Sequence, residues 1–188
     1  METLAVALGD SLTYGYPHGP QASWVGIASK LTGKRLINAG QNGATAPDLI
    51  NAFCSRVLPH QPAYVIIGTG TNEALRGQTT SRFAQDMETL QELARAHHII
   101  PVIILPIPLL SEEERRLEEF RNLIQRQPCA QLDFYSPFLD PVTRRADPSW
   151  YSDLVHPTIM GYRRLTQALL SSGTIKELTS HGGRDPGK

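Results

Sequence analysis

The chain is poor in cysteine: of 188 residues only two, Cys54 and Cys129, carry a thiol. They belong to no CxxC pair and have no metal-ligand spacing. No thiol-held metal and no disulfide is expected, and both read as small core or near-surface thiols. An excess of one charge is also missing. Lys and Arg number 18 and Asp and Glu number 18, for a formal net charge of zero. No long-range field therefore draws the chain to nucleic acid or to an acidic membrane. The basic pairs Arg115-Arg116 and Arg163-Arg164 lie in helix-like stretches beside acidic or polar residues and read as solvated faces. Long hydrophobic runs are absent too. The apolar segment LAVAL near the start is far too short for a signal-peptide core or a membrane span and has no basic leader. The expectation is a cytoplasmic chain without membrane insertion. Finally, there is no G-x-G-x-x-G, no P-loop and no G-x-S-x-G pentapeptide, so the sequence signals of nucleotide binding and of the usual nucleophile elbow are both missing.

Apolar runs and helical patterns alternate instead. Leu4 to Leu8, Arg35 to Asn38, Ala63 to Ile67, Ile99 to Leu105 and Gln131 to Tyr135 read as strands, most of them continuous enough to be covered on both faces. Between them, Trp24 to Leu31 and Thr45 to Val57 read as helices, the second with Thr45 as N-cap and Asp48 three residues on. Thr80 to His97 carries Phe83, Met87, Leu90 and Ala94 on one face. A capping-box start at Ser111 precedes the stripe Leu117, Phe120, Leu123 and Ile124, and a last helix runs from about Thr158 to Leu170. Such alternation predicts a three-layer α/β fold on a parallel sheet. One domain over residues 1–179 is expected, with a loose Gly-rich tail at 180–188.

In such sheets, ligands bind beyond the carboxyl ends of the strands. The loop after the first strand holds Ser11 in Gly9-Asp10-Ser11-Leu12. The loop after the second holds Gly43, a position where backbone can approach a ligand. The loop after the third holds Asn72, a neutral amide donor. Late in the chain, Asp153 and His156 are three residues apart, close enough for the carboxylate to fix the imidazole tautomer and leave the other nitrogen as a base. Each has a plainer reading taken alone: a helix-capping serine, turn residues, a loop Asp–His pair without a task. Asp10 reads as shaping the nucleophile loop through hydrogen bonds.

Taken together and in order, these segments resemble the GDSL, or SGNH, hydrolases. GDSL at 9–12 is similar to that family's first block, Gly43 in NAGQNGAT to its second, Asn72 in GTGTNEALRG to its third, and Asp153 and His156 in DLVHP to its last. The run Asn72 to Gly77 is especially similar to the branch of bacterial lysophospholipase/thioesterase/arylesterase enzymes, which commonly has Asp where this chain has Glu73. The resemblance implies a flavodoxin-like α/β/α sandwich with a five-stranded parallel sheet in the order 2-1-3-4-5. It also implies a serine esterase that acts on a small-molecule ester through an acyl-enzyme, without metal or organic cofactor. Ser11, Asp153 and His156 would be the catalytic triad. The Ser11 N–H, the Gly43 N–H and the Asn72 side chain would form the oxyanion hole.

The pocket is less defined. Tyr14, Tyr16, His18 and Trp24, the segment Pro106 to Leu110, and Trp150 with Tyr151 are candidates for its walls. An apolar rim would favour acyl esters, including thioesters or lysolipids, and exposed aromatics would favour sugar rings, as in a carbohydrate O-deacetylase. With no long insertion to form a large lid, short- to medium-chain acyl groups are expected. A non-catalytic binding module is the reading outside enzymes.

Overall fold

The computed structural model describes residues 3–175, so the tail expected at 180–188 lies outside the described residues. Five parallel strands form one sheet: β1 (Thr3–Gly9), β2 (Arg35–Gly40), β3 (Tyr64–Gly68), β4 (Ile100–Leu105) and β5 (Ala130–Asp133). Their spatial order is β2-β1-β3-β4-β5, as expected. Between and after them come α1 (Ser11–Tyr14), α2 (Trp24–Thr32), α3 (Ala46–Arg56), α4 (Thr71–Leu75), α5 (Thr80–Ala96), α6 (Glu114–Gln125) and α7 (Ile159–Ser171).

Strand side chains alternate between two cores, the period-two consequence of a pleated backbone. Val6, Leu8, Val65, Ile67, Ile103 and Leu105 pack with Leu49, Phe53, Phe83, Met87 and Phe120 from α3, α5 and α6. Ala5, Ala7, Ile66, Val102 and Ile104 pack with Trp24, Tyr162, Leu165 and Leu169 from α2 and α7. Coverage on both faces explains why the strands read as unbroken apolar runs rather than as alternating ones. Among the described residues, no helix is long and apolar enough to cross a membrane.

The element ends differ from expectation in three places. Helix α6 begins at Glu114 rather than at a cap on Ser111, whose hydroxyl instead donates to Glu113 Oε2 at 2.6 Å. Strand β5 stops at Asp133 because its carboxylate accepts the Ser136 N–H at 2.9 Å and turns the chain away from the sheet. Helices α1 and α4, of four and five residues, are too short for a periodic pattern to announce them.

Strand register then sets the level of the site. Gly9 pairs with Gly40 on one side and with Gly68 on the other. The loops after β1, β2 and β3 therefore leave the sheet at one height. A Cβ on Gly40 would lie 2.2 Å from the Tyr14 backbone nitrogen. Only glycine there lets the single turn of α1 fold down over the end of β2.

Candidate active site

Asp10 is the N-cap of α1, its Oδ1 accepting the Leu12 N–H at 2.9 Å. That cap fixes Ser11 at the first helical position, directly above the strand end, as Asp10's expected loop-shaping role requires. Ser11 Oγ lies 3.0 Å from His156 Nε2, and His156 Nδ1 lies 2.8 Å from Asp153 Oδ2. The partners assign the tautomer: Nδ1–H donates to the carboxylate, and Nε2 is left to accept the serine proton. The second oxygen of Asp153 accepts the N–H groups of Val155 and His156, each at 2.7 Å. Partial burial pushes the Asp153 carboxyl up. The His156 backbone N–H and imidazole and the Val155 N–H more than offset this, so it titrates below the usual carboxylate range.

The Asp153–His156 loop owes its place to neighbours outside the sheet. Tyr151 and Pro157 form an antiparallel bridge, and the Ser152 N–H donates to His156 O at 2.7 Å. The Leu110 N–H donates to Leu154 O at 3.0 Å, and the Tyr151 hydroxyl donates to Pro108 O at 2.5 Å. The Pro106–Leu110 segment is anchored in turn by Glu114, whose Oε2 accepts the Leu109 N–H at 2.7 Å and whose Oε1 pairs with Arg121.

On the other side of Ser11, Gly43 adopts φ 75°, in the left-handed region that favours glycine. Its carbonyl accepts from Arg76 Nη2 at 2.8 Å, while its N–H has no hydrogen-bond partner among the described residues. Asn72 Nδ2 donates to Ala44 O at 2.9 Å and lies 3.5 Å from Asp10 Oδ2. The next residue, Glu73, is fully buried. Asp10 is buried as well. Desolvation first, and the Glu73 charge after it, push its carboxyl up to about 7, against the opposing pull of the Leu12 and Thr13 N–H groups.

Ser11, Asp153 and His156 thus meet directly, and Gly43 and Asn72 stand on the two loops beside the Ser11 turn. Several expected wall residues do not line the site. Trp24 is 1% exposed and meets Phe134 edge-on in the core. Tyr151 is buried with its hydroxyl committed to Pro108, and Trp150 lies beneath the Arg164 guanidinium. Pro106 to Leu109 are buried rather than presented as an apolar rim. Tyr16 does reach the site: its ring centroid is 4.6 Å from that of His156, and it is 42% exposed. His18 stands near the same rim, edge-on to Tyr162 and 3.5 Å from Ser152 Oγ. The buried role of Glu73 was not anticipated. Its signal was the three-residue spacing from Gly70, which makes it the acidic member of an N-terminal cap on α4. Among the described residues, no three His, Cys, Asp or Glu gather to hold a metal ion.

Residues 7–164 match the model of the GDSL-like Lipase/Acylhydrolase family. The chain is 27% identical over 161 residues to the thioesterase 1/protease 1/lysophospholipase L1 of Escherichia coli K12, covering 83% of this chain and 76% of that protein. It is 24% identical over 172 residues to esterase TesA of Pseudomonas aeruginosa, covering 88% and 85%. Among solved structures, a protein of the lipolytic G-D-S-L family from Desulfitobacterium hafniense superposes with a TM-score of 0.81 at 28% identity, covering 89% of this chain and 98% of the other.

Proposed function

Because this chain belongs to the GDSL-like lipase/acylhydrolase family and is a carboxylic ester hydrolase, we propose that it cleaves short- to medium-chain acyl esters through an acyl-enzyme on Ser11. The observation that carries this reading is the continuous chain from Ser11 Oγ to His156 Nε2 at 3.0 Å and from His156 Nδ1 to Asp153 Oδ2 at 2.8 Å. Ser11 attacks the acyl carbonyl while its proton passes to His156 Nε2. His156 then gives that proton to the leaving alcohol, and Asp153 orients and supports the imidazolium. The tetrahedral oxyanion is held by the Ser11 and Gly43 N–H groups and by the Asn72 amide, and water releases the acyl group by the same route. Thioesters and lysolipids fit the same chemistry, since only the leaving group changes.

A panel of p-nitrophenyl esters from acetate to palmitate, run with wild type and Ser11→Ala, tests this. Turnover lost in the variant, with an optimum at short or medium chains, is the expected result. Wild-type turnover in Ser11→Ala would reject Ser11 as nucleophile.

One observation favours a second reading, a carbohydrate O-deacetylase. Tyr16, 42% exposed beside His156, offers an aromatic face on which a sugar ring can stack. An acetylated sugar preferred over an octanoyl ester would select it.

A further inference from the structure

The two loops that flank Ser11 come from different strands, 27 residues apart in sequence between Ala46 and Glu73. Nothing in the sheet ladder joins them beyond Gly40 and Gly68, where β2 and β3 end on either side of β1. Three hydrogen bonds stitch them together farther out. Arg76 Nη2 donates to Gly43 O at 2.8 Å, at the surface. Asn72 Nδ2 donates to Ala44 O at 2.9 Å and is partly buried. The Ala46 N–H, at the first position of α3, donates to Glu73 Oε1 at 2.5 Å and is fully buried. Exposed stitches compete with water and contribute little, whereas a buried carboxylate that meets several donors is both strong and costly to disturb.

Glu73 meets three such donors. Besides the Ala46 N–H, its Oε1 accepts from Thr69 Oγ1 at 2.7 Å, and its Oε2 accepts the Gly70 N–H at 2.8 Å. The last two lie on its own loop and close the first turn of α4. The Ala46 bond alone crosses to the Gly43 loop and satisfies one of the N–H groups that a helix start leaves unpaired. Asn72 and Glu73 are adjacent, and so are the stretches they grip, Ala44 and Ala46. The Glu73 carboxylate thus grips the Gly43 loop two residues beyond the Ala44 carbonyl that Asn72 holds.

We propose that Glu73 is a positioning residue for the oxyanion site, holding the Gly43 and Asn72 loops at a fixed separation through its bond to the Ala46 N–H. The claim rests on the proposed role of Gly43 and Asn72 as oxyanion donors. It differs from a purely structural role in what it predicts for catalysis. Oxyanion donors act on charge that develops only in the transition state, so a small displacement lowers kcat and leaves substrate binding alone.

Two substitutions separate the local bonds from the crossing one. Glu73→Asp, the residue common in the resembling branch, keeps the charge and the cap on Gly70, but on this chain's backbone it is one methylene too short to hold the Ala46 N–H as well. Glu73→Gln keeps the length, but turns one accepting oxygen into an amide that faces an N–H donor whichever way it flips. The measurement is kcat and KM on a p-nitrophenyl ester, together with Ki for an alkyl trifluoromethyl ketone, whose serine adduct places an oxyanion in the same hole. Asn72→Ala is run beside them, and melting temperatures report folding. The expected result for Glu73→Asp is a kcat lowered by about 10- to 100-fold, a KM within about twofold of wild type, and a Ki raised in step with the loss of kcat. Should Glu73→Gln fail to fold, Glu73→Asp decides. Wild-type kcat and Ki in a folded Glu73→Asp, with Asn72→Ala impaired, would overturn the positioning role alone, even if the melting temperature fell. Wild-type kcat in Asn72→Ala would overturn the oxyanion reading and the Glu73 proposal with it.

Discussion

Ser11, Gly43 and Asn72 stand on loops that leave the sheet where Gly9, Gly40 and Gly68 lie level, whereas Asp153 and His156 stand on an irregular loop outside it. The first group is held by buried carboxyls, Asp10 at 2% exposure and Glu73 at 0%. The second is held by backbone bonds to a neighbouring loop and by a carboxylate whose side chain is 48% exposed. The difference matches what the proposed roles require of each side. Donors to a developing oxyanion work by not moving, so they gain from rigid, water-poor surroundings. A base must reach both the serine and the leaving group and then handle an attacking water, so some exposure at His156 suits the role proposed for it.

Breaking the base side should have the largest effect. His156→Ala should lower kcat on the order of 10^5- to 10^6-fold, because nucleophile and base act as a unit. Burst and steady-state kinetics on a p-nitrophenyl ester would show it, and retention of a tenth of wild-type turnover would break the pairing with Ser11. On the sheet side, Asn72→Ala should cost about 3 to 4 kcal/mol of barrier, or two to three orders of magnitude in kcat, with KM little changed. A loss that falls on KM instead would recast Asn72 as a substrate-binding residue.

A third experiment sharpens the contrast through stability. The Asp10 carboxyl titrates near 7 in the folded protein, above its ordinary 3.8. The folded state therefore binds the proton more tightly than the unfolded state. Asp10 favours folding at pH values below about 4, and that contribution is lost as pH rises through 7. Asp10→Asn, which keeps an acceptor for the Leu12 N–H, should remove this slope and raise stability at pH 8 on the order of 4 kcal/mol relative to wild type. Urea unfolding at several pH values measures it, and parallel slopes in the two proteins would contradict it. The smallest effect belongs to the outer loop: Tyr151→Phe removes one buried hydroxyl bond to Pro108 O and should cost about 1 kcal/mol of stability. A melting curve that does not move would show that this strut is not needed to hold the loop.

The same contrast explains what the sequence made legible. Buried strands announce themselves because apolar residues must fill both faces, and each of the five appeared within a few residues of its true ends. The order of those strands did not follow from periodicity and came from resemblance. Ser11, Gly43, Asn72, Asp153 and His156 were each visible as chemically apt residues in loops after strands or in a short Asp–His spacing. Side-chain destinations were harder. Trp24 and Tyr151 are candidates for pocket walls in the sequence because aromatic residues near Ser11 and His156 suit that role. Trp24 instead lies in the core and meets Phe134 edge-on, and the Tyr151 hydroxyl serves a backbone carbonyl. Neither choice leaves a local mark in sequence. Glu73 is similar: its cap on Gly70 is a local signal, but its bond to Ala46 exists only once two loops are folded side by side.

The proposed chemistry makes Ser11 a nucleophile activated by His156. Treating the protein with a fluorophosphonate and mapping the adduct by peptide mass spectrometry tests it most directly, with His156→Ala as the comparison. Stoichiometric modification of Ser11 is expected in wild type, with modification slowed by orders of magnitude in the variant. An unmodified Ser11, or equal labelling in both proteins, would contradict it.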